Sequence, residues 1–167
     1  MRAQRGRIMA EIVIRELNNE DIPQVKKLLQ DMWLLHANNS SLLSKNELLR
    51  LNVEADLESV ISDKNQIFLI ALASDQIVGG VRGEIKNTPS FYKERKELYI
   101  DDLVVDPKFE RQGVGTKLIG ACLSFARELG VNLAIAKLYK FNTPTRKLFK
   151  SMGFEEDYSF FSKSNLK

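Results

Sequence analysis

Apolar residues crowd between Leu98 and Val105, where aliphatic and β-branched side chains suit a pleated, largely buried strand. Asp106-Pro107 ends that strand, because proline donates no N–H and restrains the residue before it. The period then changes. Leu118, Cys122, Phe125 and Leu129 are spaced 4, 3 and 4 apart, which places them on one helical face. Gly113 and Gly115 stand immediately before this run, and Gly130 suits the left-handed residue that closes a helix.

The same two periods divide the rest of the chain. Glu11–Arg15 alternates as a first strand. Asn18 or Asn19 caps a helix whose first turn carries Glu20 and Asp21, where acids suit the helix dipole. Ile22, Val25, Leu28, Leu29 and Met32 mark its buried face as far as about His36, and the Asn-Asn-Ser-Ser run at 38–41 breaks it. Two short amphipathic pieces are expected between Ser44 and Lys64, the clearer over Ala55–Ile61. Ile67–Ala73 and Ile77–Ile85 read as an antiparallel pair across the turn Ser74-Asp75-Gln76. Gly79, Gly80 and Gly83 either weaken the second of these or mark a bulge or a close backbone approach. The polar stretch Lys86–Lys96 is long for a hairpin connection, which points to a functional loop. Val131–Leu138 reads as a strand, Thr143–Ser151 as a short helix with Pro144 in its first turn, and Phe154–Ser162 as a last, alternating strand. The predicted class is α/β: a central, mixed, twisted sheet with helices on both faces.

Composition narrows the function without naming it. At 167 residues the chain is expected to form one domain over 11–167, preceded by a flexible basic leader over 1–10. A net charge of +3, with Lys and Arg spread along the chain, gives no footprint for nucleic acid. One cysteine forms no internal disulfide, and no secretory signal or long apolar span is present, so a cytoplasmic protein away from membranes is expected. Cys122, on an apolar helix face, reads as a core packer. A single histidine and a single cysteine leave no soft ligand cluster, so no metal is expected.

Candidate chemistry centres on the glycines. A helix start leaves its first N–H groups unpaired and carries partial positive charge, and glycine lets an anion approach the backbone. Arg111 and Lys117 would add charge at the rim. A Walker loop is absent, and a dinucleotide fingerprint would need glycine or alanine where Leu118 stands.

The strings Leu103-Val-Val-Asp-Pro and Glu110-Arg-Gln-Gly-Val-Gly115-Thr closely resemble the acetyl-CoA-binding segment of the GCN5-related N-acetyltransferase (GNAT) superfamily, whose pattern is [QR]-x-x-G-x-[GA] after a strand ending in V-x-P. Glu110 departs from that pattern and is expected to weaken pyrophosphate binding. Asn142, Thr145 and Leu148-Phe-Lys-Ser-Met-Gly-Phe154 are similar to a second segment of the family. The resemblance spans roughly 11–162 and implies the acyl-CoA N-acyltransferase fold with acetyl-CoA as cofactor. It implies that Leu103, Val104 and Val105 pair with pantetheine, and that Arg111, Gln112, Gly113, Val114, Gly115 and Thr116 hold the pyrophosphate. Asn142 matches a cofactor-contacting asparagine, and reads equally as a helix-entry residue.

The resemblance further implies direct acetyl transfer to a primary amine, with Asp101 as the acid that faces the acceptor. Strict alternation would turn Asp101 and Asp102 to opposite faces, leaving at most one in the site. Many family members carry tyrosine at the position of Phe149, so the general-acid role is vacant there; Tyr139, Tyr99 and Tyr158 are the substitutes, with Tyr139 placed among the catalytic residues, and a thiol with a pKa of about 8.5 can also leave without help. Trp33 and His36, three apart on the first helix, border the acceptor pocket in this reading, and Glu84 joins Asp101 on the neighbouring strand. Two carboxylates there favour a small cationic amine such as a polyamine or an aminoglycoside. A lysine or N-terminal amine of a peptide or protein, and a non-catalytic acyl-CoA-binding module, stay open as alternatives, as does a homodimer.

Overall fold

Asn18 is where alternation gives way to a helix. Its side-chain oxygen accepts from the Glu20 N–H at 2.9 Å, and Asp21 Oδ2 accepts from the Asn18 N–H at 2.9 Å, a reciprocal capping box. A 3-10 turn over Asn19–Asp21 leads into α1 (Ile22–Asn39), three residues longer than the expected end at His36 because Asn38 and Asn39 stay helical. Arg15 reaches back to Asp21 at 2.6 Å and tethers the preceding strand to this turn.

The computed structural model describes residues 11–163, so the expected leader at 1–10 lies outside the described residues. The chain divides into two compact units, Met1–Lys137 and Leu138–Lys167.

The first unit holds a five-stranded sheet in the order β1 (Ile12–Glu16), β2 (Gln66–Ala73), β3 (Gln76–Asn87), β4 (Lys96–Val105) and β5 (Ala134–Ala136). The first three pairings are antiparallel and the last is parallel, so the sheet is mixed. Between β1 and β2 come α1, α2 (Lys45–Arg50) and α3 (Val53–Ser62). One face of the sheet carries Phe68, Ile70, Ile77 and Val104, which cluster with Val25 and Leu29 of α1 and with Val53, Leu57 and Val60 of α3. The other face receives α4 (Val114–Glu128), which buries Val114, Leu118, Ile119, Cys122 and Ala126. Helices on both faces explain why β2 is buried nearly throughout instead of alternating.

Several expected boundaries move. β3 and β4 extend until the loop between them shrinks to 88–95, closed by Thr88 N–H donating to Arg95 O at 3.2 Å. Leu129, expected on the buried face, is 49% exposed because the helix has ended there. Gly130 has φ +71°, and the N–H groups of Gly130 and Val131 return to the carbonyls of Arg127 and Ala126, a Schellman closure. The strand expected over Val131–Leu138 is only Ala134–Ala136, because it runs beside β4 only along Leu98–Ile100.

The second unit contains α5 (Thr143–Ser151), with Pro144 in its first turn. Phe149 is 3% exposed and packs edge-on against Phe154, with ring centroids 4.8 Å apart. Phe154–Ser162 forms no strand, contrary to expectation. Alternation alone makes no strand without a neighbour to complete the ladder, and Tyr158, Phe160 and Phe161 remain exposed.

Candidate active site

The end of β4 is built to present backbone. β5 pairs with β4 only at Leu98–Ile100, so Asp101–Val105 have no strand on that edge among the described residues. On the other edge Leu103, Val104 and Val105 are paired with Val81, Gly80 and Gly79 of β3. A β-carbon on Gly79 would lie 2.8 Å from the Val104 carbonyl oxygen, so that glycine lets the two strands close up here.

Beyond Val105, Asp106 accepts from the Lys108 N–H at 2.9 Å and shapes a 3-10 turn over Pro107–Phe109. Arg111 (φ +58°) and Gly113 (φ +80°) then take left-handed conformations that swing the chain into α4. Gly113 has no side chain with which to cap the helix, so the N-cap position makes no side-chain hydrogen bond to it. The N–H groups of Val114, Gly115 and Thr116 therefore start the helix as uncapped donors at its positive end. Gln112 donates to the Lys108 carbonyl at 3.0 Å and braces the loop from within. Lys117, expected at the rim, instead donates to the Ile12 carbonyl of β1 at 3.1 Å.

Asp101 and Asp102 sit in a β-bulge. Val81 pairs with Leu103 and Gly83 with Ile100, so the two aspartates together face the single residue Arg82. Leu98 lies on the α4 face, within 2.9 Å of where a β-carbon on Gly83 would be, while Val104 belongs to the cluster with α1 and α3. The alternation therefore flips inside the bulge and turns both carboxylates toward the α1 side. The expectation that they point to opposite faces is corrected: it assumed an unbroken pleat.

On that side Trp33 Nε1–H donates to Asp102 Oδ1 at 3.2 Å. Asp102 is 9% exposed, whereas Asp101 is exposed. Burial pushes the Asp102 carboxyl up to about 6; the Asp101 charge adds to the rise, and the Trp33 hydrogen bond and the Arg82 charge hold it back. Arg82 itself is bound to Asp56 of α3 at 2.7 Å and to Gln66 at 2.8 Å. Glu84 pairs across the strands with Tyr99 and holds Lys86 at 3.0 Å, and the Lys86 ammonium lies 4.2 Å from the centre of the Tyr99 ring. His36 is half-buried on α1, and burial holds its imidazole below the ordinary value.

The remaining nominated residues belong to the second unit. Tyr139 stacks on Phe141 with centroids 5.5 Å apart. Asn142 caps α5, its side-chain oxygen accepting from the Thr145 N–H at 3.3 Å. Among the described residues no group of three His, Cys, Asp or Glu is placed to hold a metal, and no helix is long and apolar enough to cross a membrane.

The model of the acetyltransferase (GNAT) family matches residues 23–154. The chain belongs to the GNAT acetyltransferase family. It is similar to N-acetyltransferase 8 of Homo sapiens, 30% identical over 105 residues that make up 62% of this chain and 45% of that protein. It is similar also to the uncharacterized N-acetyltransferase YhfO of Bacillus subtilis (strain 168), 25% identical over 64% of this chain and 70% of that protein. The match thus spans less than half the length of the human relative. Among solved structures, a mutant BH1408 protein from Bacillus halodurans superposes with a TM-score of 0.83 at 20% identity, over 92% of this chain and 99% of that one. The aminoglycoside N-acetyltransferase AAC(6')-Iy in complex with CoA superposes with a TM-score of 0.74 at 20% identity, over 98% of this chain and 99% of that one. The mixed sheet with flanking helices is the GNAT acyltransferase fold.

Within this GNAT fold the first unit brings Trp33, Glu84 and Asp101 to the α1 side of the sheet, with the loop Arg111–Thr116 at the end of the same strand β4. Sequence reasoning did not single out Asp102, Arg82 or Asp56. The available signal was the doubled aspartate inside an apolar strand, because two consecutive polar residues break an alternation that a bulge restores.

Proposed function

We propose that this protein transfers an acetyl group from acetyl-CoA directly to a primary amine of a small cationic acceptor. The observation that carries this reading is one strand, β4, with an open edge over Asp101–Val105, a pair of carboxylates at one end of that edge and an uncapped, glycine-led helix start at the other. The open edge suits the amide-bearing pantetheine arm, and Val114, Gly115 and Thr116 suit the pyrophosphate through their N–H groups. Gln112 braces the loop, while Arg111 is exposed beside it. Acetyl-CoA supplies an activated acetyl carbonyl with a sulfur leaving group.

The chain's own residues do the rest. An amine reacts only when neutral, so a base must take its proton, and the Asp101–Asp102 pair lies on the α1 side of the bulge for that purpose. Carboxylates there also raise the local concentration of cations even though the whole chain carries +3. Trp33 and His36 of α1 border the acceptor in this reading. Proteins of this fold that act on aminoglycosides are consistent with such an acceptor.

Thiol release from acetyl-CoA, measured across polyamines, aminoglycosides and peptides with free lysine or N-terminal amines, tests the proposal. Turnover is expected to be highest with the small polycations and to fall with added salt. Robust peptide acetylation without turnover of small amines would overturn the choice of acceptor. CoA binding without thiol release to any amine would make the chain a non-catalytic acyl-CoA-binding module.

A further inference from the structure

Asp101 and Asp102 share one side of the bulge in very different surroundings. Asp101 is exposed. Asp102 is 9% exposed, with Oδ1 fixed by the Trp33 indole. Its other oxygen, Oδ2, has no hydrogen bond among the described residues, yet no fully buried side-chain oxygen there lacks a partner, so Oδ2 keeps a contact with solvent. One carboxylate is thus free in solution to meet a cation, and the other is locked at one oxygen and open at the second.

We infer that the pair divides the labour: Asp102 Oδ2 takes the proton of the acceptor amine, Trp33 is the positioning residue that holds it, and Asp101 binds the acceptor's positive charge. The inference rests on the proposed acetyl transfer. In the step, the nitrogen lone pair forms the bond to the acetyl carbon and the carbon–sulfur pair leaves on sulfur as thiolate. The N–H proton passes to Oδ2, so one carboxylate is consumed and one thiolate appears.

The electrostatics support this division. A base working near neutrality needs a proton affinity well above that of an ordinary carboxylate, and burial with a like charge beside it supplies that. The indole N–H and the Arg82 charge oppose the rise. The groups acting on Asp102 are Asp101 of its own strand, Arg82 of β3, Asp56 of α3 and the Trp33 indole of α1; His36 lies about one turn beyond Trp33 on the same helix. His36 is the one whose ordinary range overlaps that of Asp102.

Trp33 is the only tryptophan, so its indole N–H gives a single signal in a nitrogen–proton correlation spectrum. In the protein without ligands this signal should titrate with a midpoint of about 6. The midpoint should fall in Asp101→Asn, persist in His36→Gln and disappear in Asp102→Asn. The acid limb of kcat/KM should track it, moving to lower pH in Asp101→Asn and to higher pH in Trp33→Phe, which removes the N–H. Asp102→Asn should cost at least about a hundredfold in kcat, and Asp101→Asn about tenfold, mainly in KM for the amine. An acid limb lost in Asp101→Asn but kept in Asp102→Asn would overturn the division, as would an indole titration that disappears in His36→Gln. No transfer to any amine, with the indole titration intact, would instead overturn the functional reading on which the inference stands, and Asp102's catalytic role with it.

Discussion

Gly83 of β3 lies directly beneath Cys122 of α4: a β-carbon built on the glycine would stand 2.6 Å from the cysteine sulfur and 2.9 Å from Leu98 Cδ1. Helix and strand meet at that point without room for one more carbon. Gly83→Ala should therefore destabilise the first unit by about 1–3 kcal/mol, the usual cost of overpacking. Urea unfolding measures the loss, and adding Cys122→Ala should recover part of it by removing the sulfur. Full stability in Gly83→Ala would mean that α4 shifts freely on the sheet.

Gly113 and Gly120 make a contrasting pair on the same helix. Neither would bring a β-carbon within 4 Å of a neighbour, but Gly113 has φ +80° and leads the uncapped start, whereas Gly120 lies inside α4. Gly113→Val should weaken CoA binding tenfold or more by calorimetry, through backbone strain and a side chain at the anion site. Gly120→Ala should leave CoA affinity alone and stabilise the fold by about 1 kcal/mol, since alanine is the better helix former. Unchanged affinity in a folded Gly113→Val protein would put the phosphates elsewhere.

Much of this architecture could be read from periodicity and punctuation. The buried stripe of α4, the Asn18 cap, the Gly130 closure and the glycine-led loop are all local features, fixed by residues within one or two turns of each other. The bulge is not local. It depends on how β4 registers against Arg82, and the doubled aspartate that marks a break in alternation does not say which partner residue the two share. The short β5 was likewise hidden, because its length is set by how far it stays beside β4. Alternation at Phe154–Ser162 misled for the same reason, as it reports a sequence's fitness for a ladder and says nothing of the neighbour.

Phe149 tests the vacant general-acid position. It is buried against Phe154, so Phe149→Tyr brings a hydroxyl into an apolar contact and should cost about 1–3 kcal/mol of stability unless the hydroxyl finds a partner. Turnover per folded molecule should change little, because a thiol with an ordinary pKa of about 8.5 leaves readily as thiolate. Tyr139→Phe should also leave kcat nearly unchanged. A hundredfold fall in Tyr139→Phe would make that phenol the acid.

Function and stability oppose each other at Asp102. Its carboxyl, ordinarily near 3.8, is pushed up to about 6 by burial and by Asp101. A group that binds its proton more tightly when folded stabilises the protonated fold. Stability should accordingly fall as pH rises from about 4 to about 6 and stay lower above that. A difference of about two pKa units corresponds to about 3 kcal/mol of strain at neutral pH. Asp102→Asn removes the charge, keeps an oxygen to accept from Trp33, and places its amide where Oδ2 already meets solvent. The variant should be more stable than the native protein by about 3 kcal/mol at pH 7.5, nearly equal to it at pH 4, and at least about a hundredfold slower in kcat. Urea midpoints at the two pH values, with unchanged denaturant slopes, measure this directly. Equal stability at pH 7.5 would mean that the buried carboxylate carries no strain, and would remove the reason for its raised proton affinity.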